Sequence, residues 1–181
     1  MELPVINRII ENLDMAFPET TAKFIDETLP LSEKTLDKTR EQYDADTIMR
    51  LVHEYGEKEE NWNKILGVVD VDVFSDELNF VFGKAECPGK AALISMWRLK
   101  PQFYGAQENL ELFVDRGTKE AVHELGHTFG LKHCSNPFCV MYFSNSIFET
   151  DRKQSLFCNV CYMKIERLTH EEKGVDGAEE F

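Results

Sequence analysis

The chain has 181 residues, 33 acids against 20 lysines and arginines, and a formal net charge of −13. That balance excludes general binding to nucleic acid or to anionic membrane, which needs clustered Lys and Arg. With 43% apolar and 11% aromatic residues the chain is not disordered, and at this length it buries roughly 70% of its unfolded surface, enough for one core without staples. Residues 1–60 hold 15 of the acids and 7 of the bases; a solvated face accounts for that excess.

Ile6, Ile9, Ile10 and Leu13 recur at helical spacing, so residues 5–16 read as a first helix that stops before Pro18. Residues 33–58 read as a longer polar helix or helix pair, with Leu36, Tyr43, Ile48, Leu51, Val52 and Tyr55 as its apolar set. Residues 67–74 alternate and are rich in valine, the pattern of a strand. Residues 79–84 predict a second strand, and residues 91–99 a third after the turn signal Cys87-Pro88-Gly89. A helix is predicted over residues 106–129, with a break near Gly117. Little periodicity follows until a last helix at residues 162–169. The mixture predicts an α/β or α+β fold.

No stretch reaches the roughly 18 apolar residues of a membrane helix, and the start Met-Glu-Leu-Pro lacks the basic and apolar regions of a secretory signal. The expected compartment is the cytosol, where thiols stay reduced and clustered cysteines favour a metal over disulfides.

The chemistry concentrates in residues 123–133, His-Glu-Leu-Gly-His-Thr-Phe-Gly-Leu-Lys-His. On a helix, His123 and His127 stand one turn apart on one face, the spacing at which two imidazoles hold one zinc ion. Counting about 100° per residue from His123, His127 lies at about 40° and Glu124 at about 100°, while Val122, Leu125 and Phe129 lie between about 200° and 260°. The histidines therefore avoid the apolar stripe. Glu124 flanks the pair, where a carboxylate can take a proton from water at the metal. In a continuous helix His133 would point elsewhere, so the chain must turn, and Gly130 supplies a residue that takes the left-handed conformation. Three histidines leave a fourth position open, the arrangement of a catalytic zinc.

Cys134 follows His133 directly, and Cys134-x4-Cys139 with Cys158-x2-Cys161 has the spacing of a closed structural zinc site. Two disulfides or four free thiols are the alternative. The shared bond between His133 and Cys134 couples the two sites on this reading. Met141 can form a soft apolar floor beneath the imidazoles, or serve as plain core. Cys87 reads as a lone buried thiol, and His53 and His170 as residues without a metal role.

Together, His123-Glu124-x-x-His127-x-x-Gly130-x-x-His133 followed by Met141 resembles the metzincin zinc peptidases. The four cysteines, the first touching the third histidine, are similar to one branch, the archaemetzincins, and Tyr43-Asp44-Ala45-Asp46, residues 78–83 and Arg98-Leu99 extend the resemblance from about residue 30. The spacing from Met141 to Cys158 is one residue shorter than the family pattern, a departure confined to residues 142–157.

The resemblance implies a metzincin-like twisted mixed sheet with backing helices and an active-site helix. It divides a single catalytic domain, 1–181, into an N-terminal subdomain, 1–130, and a zinc-stabilised C-terminal subdomain, 131–181. It makes His123, His127 and His133 ligands of a catalytic zinc and Glu124 the general base. Met141 becomes the Met-turn residue, and Cys134, Cys139, Cys158 and Cys161 hold a second, structural zinc. Residues 91–99 become the edge strand that pairs with substrate, and Tyr142 a candidate oxyanion stabiliser. The expected protein is a monomeric cytoplasmic zinc metallopeptidase acting on peptides or small proteins. A non-catalytic zinc-organised binding module, or a zinc hydrolase of a non-peptide amide, are the alternatives.

Overall fold

The computed structural model describes residues 3–59, 61–75 and 78–176, with side chains through residue 171. The first helix, α1 (Leu3–Ala16), buries Val5, Ile9, Leu13 and Ala16 at the three- and four-residue spacing of one helical face.

The polar helix expected over residues 33–58 is replaced by four short elements. A 3-10 turn (Glu33–Thr35) leads into β1 (Leu36–Asp37), the chain reverses, and β2 (Gln42–Asp44) pairs antiparallel to β1 before α2 (Ala45–Gly56) begins. Two causes are local: Glu41 takes a left-handed conformation, φ +55°, that no helix tolerates, and Asp44 caps α2, accepting from the Asp46 N–H at 3.0 Å and the Thr47 hydroxyl at 2.6 Å. The third is remote, since Tyr43 pairs with Val73 across a parallel ladder. Leu36 and Tyr43 are thus strand partners, and α2 buries Ile48, Met49 and Val52.

The strand expected over 67–74 divides between two sheets. β3 (Ile65–Val69) enters one and β4 (Val73–Phe74) the other. Between them Asp72 turns to Arg98, which donates to both its carboxylate oxygens at 2.6 and 2.7 Å. Of the strand expected over 79–84, only the end survives, as β5 (Gly83–Ala85). The residues before it bridge the sheets instead: the Val81 N–H bonds to Val73 and the Phe82 carbonyl accepts from Ser95. The strand expected over 91–99 stops at β6 (Ala91–Ser95), because the Ser95 hydroxyl accepts the Trp97 N–H and starts a 3-10 turn.

β6 is the centre of the sheet β3-β6-β5, parallel to β3 and antiparallel to β5, while β1-β2-β4 form a smaller sheet. All five β6 residues are buried. Ala92 and Ile94 pack with α1 and α3 (Leu110–Thr128), whereas Ala91 and Leu93 pack with α2. A strand covered on both faces needs an apolar run rather than alternation. Because both its edges are paired, β6 cannot be the substrate-pairing strand; β3 and β5 hold the outer edges of that sheet.

α3 starts at Leu110, where the Asn109 side chain accepts the Leu112 N–H at 3.0 Å. It is unbroken at Gly117: a β-carbon there would lie 2.6 Å from Met96 and 3.1 Å from Ile9, so the glycine serves close packing rather than a break. A short α4 (Ile147–Arg152), which the sequence reading missed, and a longer α5 (Asn159–Asp176) complete the chain. Among the described residues no helix is long and apolar enough to cross a membrane.

Candidate metal centre and active site

The last two turns of α3 carry His123, Glu124 and His127. The helix ends as the sequence predicts. Gly130 has φ +97°, its N–H bonds to the His127 carbonyl at 2.8 Å, and the Leu131 N–H bonds to the Gly126 carbonyl at 3.1 Å. That pair of bonds is a Schellman ending, and it swings the chain back so that His133 reaches the two helical histidines. The ring centroids of His133 lie 5.4 Å from His123 and 4.9 Å from His127.

The tautomers follow from the carbonyl contacts. The His123 Nδ1–H donates to the Val140 carbonyl at 2.8 Å, and the His127 Nδ1–H to the Leu131 carbonyl at 2.6 Å. Both Nε2 atoms then carry lone pairs, and they face each other at 3.1 Å. Two lone pairs at that distance repel unless a cation lies between them. A tetrahedral zinc with Zn–N near 2.0–2.1 Å spaces its nitrogens by about 3.4 Å, so the donor set fits such an ion. One nitrogen from each of the three histidines lies within 4.8 Å of the others, and among the described residues no Asp, Glu or Cys joins the group. Burial is graded: His123 is buried, His127 half-buried and His133 exposed, so the group opens to solvent on the His133 side.

Burial lowers the pKa of all three imidazoles, most strongly that of His123. The neutral, ligand-competent form is therefore favoured. Glu124 is shifted the other way. Burial first, and then the neighbouring Glu120, raise its carboxyl well above the usual range, while Lys153 opposes them. No hydrogen bond to another described residue engages the Glu124 carboxylate. It lies beneath β5, where a β-carbon on Gly83 would come within 2.5 Å of its side chain.

Met141 is fully buried, and a β-carbon on Gly126 would meet its sulfur at 2.6 Å, so the thioether lies against the helix between His123 and His127. Tyr142 is half-buried. The aromatic ring that touches the group is instead Phe143, 4.9 Å from His133. Phe143 was missed in the sequence, where nothing but its place beside Met141 and Tyr142 marked it.

The cysteines form the second group. The sulfurs of Cys134, Cys139, Cys158 and Cys161 all lie within 4.8 Å of one another, and none is in a disulfide. Burial raises the Cys139 and Cys161 thiols. Burial also works against Cys158, but the Cys161 N–H and the neighbouring sulfurs outweigh it and hold this thiol at about 7. Such a set suits a soft divalent cation. The groups touch twice: through the bond from His133 to Cys134, and through residues 139–141, where Val140, next to Cys139, accepts from His123 while Met141 accepts the Cys134 N–H at 2.9 Å.

The other singled-out residues stay apart. Cys87, expected to be buried, is instead exposed on the turn before Pro88, with its thiol 3.5 Å from the Leu131 carbonyl. His53 sits 2.7 Å from Glu86, and His170 3.6 Å from Glu19.

Known proteins carry the same frame. The model of peptidase family M54 matches residues 15–167. The chain is 50% identical over 113 residues to the archaemetzincin of Pyrococcus abyssi, a match covering 62% of this chain and 60% of that protein. It therefore aligns with less than two thirds of that relative. To the archaemetzincin of Saccharolobus solfataricus it is 36% identical over 172 residues, 93% of this chain and 90% of the relative. The crystal structure of archaemetzincin from Methanopyrus kandleri superposes with a TM-score of 0.79 at 35% identity, covering 92% of this chain and 87% of that one. With a family model running through nearly all of the described fold and a relative aligned almost end to end, the chain belongs to peptidase family M54, the archaemetzincins.

Proposed function

We propose that the protein is a zinc-dependent peptidase whose centre is His123, His127 and His133, with Glu124 as general base. The observation that carries this reading is the pair of Nε2 atoms facing each other at 3.1 Å beside a carboxylate engaged by no hydrogen bond from another described residue. A zinc ion held there supplies Lewis-acid polarisation of a peptide carbonyl and a lowered pKa for the attacking water. Glu124 accepts that water's proton at its carboxylate and hands it to the leaving amine. The Val140 and Leu131 carbonyls hold His123 and His127 in the tautomer that presents Nε2. Met141 forms the apolar floor of a Met-turn, and Phe143 shields the outer side of His133.

The free edge of β5 lies beside Glu124 and offers backbone groups to an extended peptide, which would add as another strand. Cys134, Cys139, Cys158 and Cys161 hold a second, structural zinc, so the resting protein carries two. They form the heart of a C-terminal subdomain after Gly130. Four reduced thiols suit a cytoplasmic setting.

A module built only to bind would have no use for an unpartnered base beside an open metal position. The test is digestion of a peptide library by zinc-loaded protein, chelated protein and Glu124→Gln. The expected result is cleavage by the first alone, with Glu124→Gln keeping its zinc and losing about a hundredfold to ten-thousandfold in rate. Undiminished cleavage by Glu124→Gln overturns the assignment.

A further inference from the structure

Lys153 has a side chain only 1% exposed, and its ammonium lies 3.1 Å from the Glu120 carboxylate, itself 5% exposed. The ammonium makes no aligned hydrogen bond to any described residue, so its donors are not spent on that contact. Glu120 has a second partner from α4, the Thr150 hydroxyl, which donates to the same oxygen at 3.2 Å. Counted around α3 from His123, Glu120 lies at about 60°, inside the arc from His123 to Glu124, and the two carboxylates stand at the four-residue spacing, about one turn apart.

A buried ion pair is a poor way to gain stability, since apolar side chains of the same size serve as well or better. Nor is this pair needed to anchor α4. Arg116 already grips Asp151 through two bonds of 2.7 Å and the Leu99 carbonyl through a third at 3.0 Å. What Lys153 adds is a fixed positive charge at the Glu120 carboxylate, about one helical turn before Glu124 on the active face of α3.

We propose that Lys153 is a positioning residue for Glu124: wedged against Glu120, its ammonium is the fixed charge toward which the Glu124 carboxylate is oriented. The inference rests on the reading of Glu124 as general base and adds a residue to it. Two carboxylates on consecutive buried turns repel each other, and the lysine between α3 and the end of α4 lets both stay. Glu120 holds the lysine, and the lysine holds Glu124.

The test compares wild type, Lys153→Met, Lys153→Arg and the double variant Lys153→Met/Glu120→Gln. In Lys153→Met kcat falls about a hundredfold, the cost of misplacing a reacting group by about an ångström, while KM stays within about twofold. Zinc content is unchanged, and Lys153→Arg recovers part of kcat. The double variant, which removes both partners of the buried ion pair, regains the wild-type Tm but keeps the low kcat. Crystal structures show the Glu124 carboxylate turned from its wild-type orientation in both Met variants. If the double variant regains kcat together with Tm, the pair is merely structural and the proposal is overturned. An unmoved Glu124 in the Met variants overturns it too. Should Lys153→Met fail to fold, the double variant decides. Should wild-type protein cleave no peptide, the peptidase reading fails, and the orientation of Glu124 alone decides this one.

Discussion

The two candidate metal groups are built in opposite ways. The histidine group rests on a helix of 19 residues that is packed on both α1 and the central sheet. Its rings are aimed by backbone carbonyls before any ion arrives. The cysteine group draws Cys134 and Cys139 from a stretch with no regular element, Cys158 from the residue just before α5 and Cys161 from its first turn. Two backbone bonds, from the Val140 N–H to Leu156 and from the Gln154 N–H to Phe138, join these two pieces beside the sulfurs. A preformed site can be tuned for reactivity, because its fold does not depend on the ion. A site made of loops contributes its binding free energy to folding. The first arrangement suits chemistry and the second suits architecture.

The largest expected effect separates geometry from metal binding at the histidine group. Gly83→Ala pushes a β-carbon into Glu124, and kcat falls about a hundredfold while zinc content holds. Peptide kinetics with zinc analysis checks this; loss of zinc instead would show that β5 supports the ligands rather than the base.

The next effect asks whether the groups are independent. Cys158→Ser removes one of four sulfurs, and the disturbance reaches His133 through Cys134 and His123 through Val140. Zinc affinity at the histidine group then drops about tenfold to a hundredfold, the usual cost of losing an orienting partner. Chelator competition measures it, and an unchanged affinity would mean that the two sites are uncoupled.

The smallest effect is a pH dependence of the metal-free protein. Its three imidazoles, His123 above all, have lowered pKa values. A group depressed on folding adds stability that is present above its unfolded value, about 6.5 for histidine, and lost as pH falls through the folded value. Glu124 acts with the opposite sign, its raised carboxyl making folding less favourable as pH rises from the usual carboxylate range. In a Glu124→Gln background Tm therefore falls from pH 7 toward pH 5, and His123→Gln flattens that slope. A slope unaffected by His123→Gln would contradict the assigned burial of the ring.

How legible these features were in the sequence depended on how far each cause lay along the chain. The histidine group could be read because helix, turn and third ligand all fall within residues 123–133, and the φ of Gly130 is a local demand. The cysteine cluster could be read from spacing alone. The stretch at 33–58 could not, because Leu36 and Tyr43 carry helical spacing but pair with each other, and Tyr43 also with Val73. β6 was misjudged as an edge for the same reason: whether a strand is central depends on its neighbours, and a valine-poor run such as Ala91–Ser95 states only that both faces are buried. Lys153 lies in a stretch with no periodicity, and nothing in the sequence told it from a surface lysine.

The most direct measurement is an anomalous-difference map at the zinc edge from crystals of zinc-loaded protein. The account predicts two peaks. One lies about 2.1 Å from a nitrogen of each of His123, His127 and His133 with its remaining position wet, and the other is enclosed by the four sulfurs. A first peak missing, or closed by a fourth side chain in the resting protein, would contradict it.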